Sequence, residues 1–228
     1  MIALRDLRFR WPRDGHDCLT IARLGIHAGQ TVFLHGPSGC GKSTLLGLMA
    51  GVLVATSGSV SVCGHDWAAL PARQRDAHRA DRLGVIFQQF KLLPYLSVID
   101  NVLLPCRFST ARRQRATRGC SEVAAAGSLL ERVGLPPGLW QRPAAALSVG
   151  QQQRVAAARA LIGAPELVIA DEPTSSLDAE LRDAFMALLL ASTREAGSTL
   201  IFVSHDLRLA EHFDLRISLP AINSASMR

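Results

Sequence analysis

The stretch Gly36-Pro37-Ser38-Gly39-Cys40-Gly41-Lys42-Ser43-Thr44 constrains this chain more than any other, because it fits G-x-x-x-x-G-K-[ST] with the flanks that pattern requires. Ahead of it runs the apolar, β-branched Thr31-Val32-Phe33-Leu34, and behind it Leu45-Leu46-Gly47-Leu48-Met49. A strand, a glycine turn and a helix start are expected. Successive backbone N–H groups of such a turn, with the helix N-terminus, form a positively polarised nest for phosphate oxygens. Glycine serves there because the backbone must approach the phosphates closely, in conformations that a Cβ obstructs. Lys42 is placed to reach the β- and γ-phosphates, and Ser43 to ligate Mg²⁺. Only two of the 25 basic side chains are lysines, Lys42 and Lys91. Lysine thus stands where the loop needs a flexible point charge rather than arginine's rigid fork.

Before the glycine turn, Ile2-Ala3-Leu4-Arg5-Asp6-Leu7-Arg8-Phe9-Arg10-Trp11 alternates apolar and polar residues as a half-buried strand does, and stops at Pro12 and the turn Arg13-Asp14-Gly15. A second alternating run, Leu19-Thr20-Ile21-Ala22-Arg23-Leu24-Gly25-Ile26, makes an antiparallel lead-in to an α/β core. Trp11 closes the first strand 25 positions before Gly36, where an aromatic face can stack on adenine. On the residues alone a structural edge-strand tryptophan serves equally well.

Beyond the loop helix the pattern predicts a short strand over 58–64, a charged helix over 68–82, and the buried strand Leu83-Gly84-Val85-Ile86-Phe87 ending at Gln88-Gln89. A glutamine at the carboxyl end of a core strand faces the crevice where α/β sheets bind ligands. From 90 to about 162 the pattern is helical, with breaks at Pro94, Pro105, Pro136, Pro137 and Pro143, and a helical insertion is expected. Its run 107–118 carries five arginines, Arg107, Arg112, Arg113, Arg115 and Arg118. These read as a solvated helix face, with a lipid- or partner-facing patch as the alternative. The insertion ends in Leu147-Ser148-Val149-Gly150-Gln151-Gln152-Gln153-Arg154, a polar turn opening a helix over 155–162 whose N-terminus is a second anion site.

Leu167-Val168-Ile169-Ala170-Asp171-Glu172-Pro173 is an apolar strand that stops at two carboxylates. Alternation gives them separate tasks: Asp171 can hold a Mg²⁺-bound water, and Glu172 can act as general base on the attacking water. Ser175-Ser176-Leu177-Asp178 caps an amphipathic helix over 179–196, and Thr199-Leu200-Ile201-Phe202-Val203-Ser204 delivers His205-Asp206. A lone strand-end histidine is usually structural; here it is the fourth strand end with a phosphate-competent polar group, and that convergence favours function. A strand over 215–219 follows.

Composition sets the remaining bounds. With 228 residues, 48% hydrophobic and 19% charged, the chain buries a large core as one globular unit. Its five scattered cysteines lack C-x-x-C spacing, which argues against a disulfide frame and a zinc site. A net charge of +6 permits a polyanionic partner without requiring one. Neither a signal-peptide core nor an apolar run long enough to span a bilayer is present, so a cytosolic protein peripheral to a membrane is expected.

The assembled set resembles the nucleotide-binding subunits of ABC transporters. Walker A is Gly36 to Thr44, the glutamine loop Gln88, the signature Leu147 to Gln151, Walker B with its glutamate Ile169-Ala170-Asp171-Glu172, the D-loop Ser176-Leu177-Asp178, and the switch histidine His205. Val85 to Pro94 with Asn101-Val102 and Pro105 is similar to the lipoprotein-releasing and macrolide-export branch. The resemblance implies an α/β P-loop NTPase (RecA-like) core, an ATPase in one domain, 1–228, with residues 1–87 and 163–228 as core and 88–162 as helical subdomain. ATP and Mg²⁺ are implied, with nucleotide held by Walker A, Trp11, Ser148, Gly150, Gln151 and Asp178. Ser43, Gln88 and Asp171 serve the metal, and Glu172, His205 and Gln88 the hydrolysis.

Two copies with shared sites are implied, beneath a membrane permease at the cytoplasmic face of the cell membrane, without direct nucleic-acid contact. Phe90, Leu92, Leu93, Tyr95 and Leu96 are expected to receive the permease, with internal packing of the helical subdomain as the rival. Two departures stand out: Val149 replaces a usual signature glycine, and the Asp-Gly hairpin after the last strand is absent. Alternatives are a cell-division type of membrane complex and a soluble nucleic-acid-linked ATPase, which generally needs paired cassettes or long coiled coils.

Overall fold

The computed structural model describes residues 1–225 apart from 13, 175, 176 and 178. Its first layer is an antiparallel sheet in the order β2-β1-β4-β5, formed by β1 (Ile2–Phe9), β2 (Leu19–Ile26), β4 (Ser57–Val62) and β5 (His65–Asp66). The alternation of β1 slips by one position: Ile2, Leu4, Leu7 and Phe9 are the buried residues. The slip coincides with a register shift against β4 between Arg5 and Arg8, and with Asp6 at φ 48°. An extra residue in the bulged strand re-aims everything after it by one face.

The second layer is a parallel sheet in the order β6-β7-β8-β3-β9, formed by β3 (Thr31–His35), β6 (Leu83–Ile86), β7 (Leu167–Asp171), β8 (Thr199–Val203) and β9 (Leu215–Ser218). Strands covered on both faces need apolar side chains at every position, which is why β7 and β8 read as continuous apolar runs. The helices are α1 (Lys42–Met49), α2 (Ala72–Arg82), α3 (Val98–Phe108), α4 (Thr110–Ala116), α5 (Glu122–Arg132), α6 (Val149–Leu161), α7 (Ala179–Glu195) and α8 (Leu219–Ile222). One apolar cluster joins the antiparallel sheet to α1 and one face of the parallel sheet; a second joins the other face to α3, α5, α6 and α7.

Several boundaries differ from the sequence expectation. β1 stops at Phe9, so Trp11 lies two residues beyond the strand it was expected to close. The predicted helix over 68–82 is a 3₁₀ turn, Trp67–Ala69, followed by α2. α6 begins at Val149, six residues before the predicted start. Pro105 lies inside α3 rather than breaking it. Tertiary packing of Val98, Ile99, Val102, Leu103 and Cys106 outweighs the lost backbone hydrogen bond.

The arginine run is not a solvated face throughout. Arg112, at 2% exposure, donates to Leu83 O at 2.7 Å, Ile162 O at 2.6 Å and Ala160 O at 2.5 Å. Arg115 donates to Gly163 O at 2.8 Å and to Asp81 O. The final carbonyls of α6 lack helical partners and carry the negative end of the helix dipole, so a cation is drawn to them. Burial lowers the Arg112 pKa to about 10, which leaves it charged at neutral pH. Arg107, Arg113 and Arg118 remain exposed.

Candidate active site

All the strand-end groups lie at the carboxyl edge of the parallel sheet, because β3, β6, β7 and β8 run in one direction. At the end of β3, Gly39 (φ 78°) and Gly41 (φ 100°) take left-handed conformations. A Cβ on Gly41 would stand 2.9 Å from Leu19 Cδ2, so this position is closed to other residues by strain and by contact. α1 starts directly after Gly41 with no side-chain cap, leaving its first N–H groups without one. Lys42 is 7% exposed and its Nζ donates to Gly36 O at 2.9 Å and Pro37 O at 3.0 Å, spanning the loop. Cys40 is buried beneath the loop, its Sγ 2.7 Å from where a Gly36 Cβ would lie. Pro37, Ser38 and Gly39 are exposed, and Thr44 is buried.

Ser43 Oγ donates to Asp171 Oδ2 at 3.3 Å, joining the loop to the end of β7. Burial pushes the Asp171 carboxyl above its usual range and the neighbouring Glu172 adds to this, while the Ser43 hydroxyl and Lys42 act in the opposite direction. Glu172 has φ 46°, and its N–H donates to Val203 O at 3.1 Å, pinning the turn to the end of β8. Its Oε1 is paired with His205 Nε2. The turn bearing His205 is held by Asp206, which accepts from the Arg208 N–H at 3.2 Å and pairs with Arg182 at 3.1 Å. Hydrogen bonding from Arg208 holds the Asp206 carboxyl at a pKa of about 2.

The structure therefore brings Lys42, Ser43, Asp171, Glu172 and His205 together. Gln88 lies exposed just past β6, and its side chain makes no hydrogen bond among the described residues. Trp11 is 40% exposed and meets Phe9 edge-on, with ring centroids 5.1 Å apart. It follows β1 at the hairpin end that also carries Cys18, whose Sγ lies 3.8 Å from Thr44 Oγ1. Asp178 lies outside the described residues.

Ser148 caps α6, accepting from the Gln151 N–H at 3.3 Å, while Gln151 Oε1 accepts from the Ser148 N–H at 3.0 Å. Gly150 lines a cleft of about 220 Å³ with Gln153, Arg154, Leu177 and Phe185. Ser43 and Asp171 line a separate groove of about 880 Å³ with Val52, Phe87 and Phe108. Within one chain the signature and the phosphate loop thus face different spaces.

In the patch expected to meet a permease, Phe90 is 7% exposed and Leu92 packs on the core, whereas Tyr95 is 75% exposed. Sequence reasoning gave Arg159 no role, although a lone charge inside Ala156-Ala157-Ala158-Arg159-Ala160-Leu161 was a signal that something opposes it.

The residues fit a magnesium nucleotide. A backbone nest with an uncapped helix start suits phosphate, and a hydroxyl beside a carboxylate supplies the hard oxygen donors that Mg²⁺ takes alongside water and phosphate oxygens. No group of three or more His, Cys, Asp or Glu able to hold a metal occurs among the described residues.

Comparison with known proteins gives the same class. The family model described as ABC transporter matches residues 19–175. The lipoprotein-releasing system ATP-binding protein LolD of Anaeromyxobacter dehalogenans is 43% identical over 196 residues, covering 86% of this chain and 80% of that protein. The macrolide export ATP-binding/permease protein MacB of Rhodopirellula baltica is 39% identical over 216 residues, covering 94% of this chain and 31% of that longer protein. The dimeric post-hydrolysis structure of the ATP-binding cassette MJ0796, bound to ADP and Pi, superposes with a TM-score of 0.83 at 32% identity, covering 96% of this chain and 94% of that one. The chain belongs to the ABC transporter family. It is an ATP-binding, ATP-hydrolysing subunit on an α/β P-loop NTPase core, as the motifs implied.

Proposed function

We propose that this subunit powers a membrane permease from the cytoplasmic face of the membrane, as one of two copies sharing their ATP sites, and that its own residues divide the chemistry as follows. The single observation that carries the reading is the pair of contacts at one sheet edge, Ser43 with Asp171 and Glu172 with His205. Residues 36–44 receive the phosphates; Lys42 exchanges its two carbonyl partners for β- and γ-phosphate oxygens. Trp11 stacks on adenine. Ser43, Gln88 and Asp171 hold Mg²⁺, which when bound neutralises charge on the phosphates. Glu172 takes the proton of a water as that oxygen attacks the γ-phosphorus and the bond to the β,γ-bridging oxygen breaks. His205 holds the Glu172 carboxylate in place. Ser148, Gly150 and Gln151 of the second copy, with Asp178, close over the γ-phosphate. Residues 88–162 act as the helical subdomain that carries this second half-site.

The partner reading is supported by the name of MacB, which unites ATP-binding and permease functions in one protein of which this chain matches 31%. No helix among the described residues is long and apolar enough to cross a membrane. The groove bordered by Val52, Phe87 and Phe108, with Phe108 76% exposed, is the docking place for an apolar helix of the permease. Phe108→Glu should release the subunit from permease-bearing membranes while ATP binding by the free chain persists. Retained membrane association contradicts that placement.

The chemistry is tested by two substitutions. Glu172→Gln should keep ATP affinity and lose about 10²–10⁴-fold in turnover, whereas Lys42→Ala should weaken binding itself. Near-normal hydrolysis by the Glu172→Gln protein removes Glu172 from the base role.

A further inference from the structure

Between Gln88 and α3 the chain makes a tight turn held from both ends, by the half-buried Arg159 and the buried Asn101. The Phe90 N–H donates to Phe87 O at 2.8 Å, and the Lys91 N–H to Gln89 O at 2.5 Å. Phe90 (φ 56°) and Lys91 (φ 48°) are both left-handed, a conformation that consecutive non-glycine residues adopt only where their surroundings impose it. The imposing group is Arg159. Its Nη2 donates to Phe90 O at 2.5 Å and its Nη1 to Lys91 O at 2.7 Å. Arg159 forms no ion pair among the described residues, so those two carbonyls are the fixed targets of its fork. At the other end Asn101, fully buried, accepts from the Leu93 N–H at 2.8 Å and donates to the carbonyls of Leu93, Leu96 and Ser97 at 3.0–3.3 Å. Gln88 and Gln89 stand exposed between the end of β6 and this clamp.

Arg159 projects from the last turn of α6, the 13-residue helix whose first turn is capped by Ser148. One rigid helix therefore holds the signature at its start and grips the Gln88 turn at its end. We propose that Arg159 is a positioning residue for Gln88: by holding the carbonyls of Phe90 and Lys91 it makes the approach of Gln88 to Ser43 and Asp171 follow any displacement of α6. The inference rests on the placement of Gln88 in the hydrolytic site.

The test is a double-mutant cycle on the full chain, reading kcat and KM for Mg²⁺-ATP, nucleotide Kd and thermal midpoint for wild type, Gln88→Ala, Arg159→Met and the double variant. Arg159→Met keeps the apolar stem and removes the fork. It should lower kcat by about 10- to 100-fold through misplacement of Gln88, with Kd for ATP unchanged. In the Gln88→Ala background it should add nothing further, because both substitutions interrupt one route. Arg159→Lys, which can reach one carbonyl, should recover part of the loss, and it replaces Arg159→Met in the cycle if the latter does not fold. Multiplicative losses in the double variant, or a kcat loss matched by an equal loss of ATP affinity, overturn the inference. If Gln88→Ala alone leaves kcat unchanged, the assignment of Gln88 fails first and this inference fails with it.

Discussion

Two helix starts in this molecule are built from opposite solutions to the same problem. α1 opens after a left-handed Gly41 with no side-chain cap, so its first N–H groups have no partner from a side chain. α6 opens after Ser148 in a complete capping box, with Ser148 and Gln151 satisfying each other's backbone N–H groups. A helix N-terminus attracts anions in either case, but only at the first are all the leading N–H groups without a side-chain cap. In the second, the Ser148 and Gln151 N–H groups are already satisfied by the box, which leaves those of Val149 and Gly150 outside it. The difference teaches that α6 draws its cap from its own side chains, whereas α1 leaves its first N–H groups to whatever the proposed phosphate loop binds.

The strongest way to break this comparison is a fixed pair of subunits in which one copy carries both Lys42→Ala and Ser148→Arg and the other is wild type. Shared sites place a damaged half in each, and ATP turnover should be nearly abolished. Retention of about half the wild-type rate, the amount expected if one of two independent catalytic sites survives, shows that each chain works alone.

A smaller effect concerns the carboxylate beside α1. Burial raises the Asp171 pKa, so the folded chain binds a proton there more readily than the unfolded chain. Between the ordinary carboxylate value and the raised one, the stability contribution of this group falls as pH rises, and at neutral pH its buried charge is a net cost. Asp171→Asn should therefore raise the thermal midpoint of the nucleotide-free protein at pH 7, and the gain should shrink as pH drops to 4. The same substitution should sharply weaken Mg²⁺-dependent hydrolysis. A lower midpoint at pH 7 contradicts the sign.

The smallest effect sharpens the other side. Gln151→Ala removes half of the capping box and should cost about 0.5–1 kcal/mol, lowering the thermal midpoint by about 1–4 °C for a domain of this size. An unchanged midpoint in calorimetry means that the box does not stabilise α6.

The cluster at the carboxyl edge of the parallel sheet was legible in the sequence wherever its signal was local. An apolar run that stops at Asp171-Glu172, another that stops at His205, and a glycine pattern between strand and helix each announce a strand end. The start of α6 was misread because Val149-Gly150 is poor helix material, although Ser148 followed by glutamine three positions later is the mark of a capping box. Arg112 and Arg159 were not legible for a different reason. What each one grips is backbone carbonyl, from 29 to 69 positions away in the chain, and carbonyls leave no imprint on residue identity. Trp11 was placed in a strand that ends before it.

The position of β3 in its sheet bears on how the protein is made. β3, which leads into the phosphate loop, lies between β8 and β9. Both of its neighbours are translated long after it; at about 5–20 residues per second, the ribosome needs on the order of ten seconds or more to go from β3 to β8. Throughout that interval the nascent strand has no sheet to join. The proposed phosphate loop can be set against its sheet only when residues beyond 199 have emerged, so a segment encoded early is fixed in place late in synthesis.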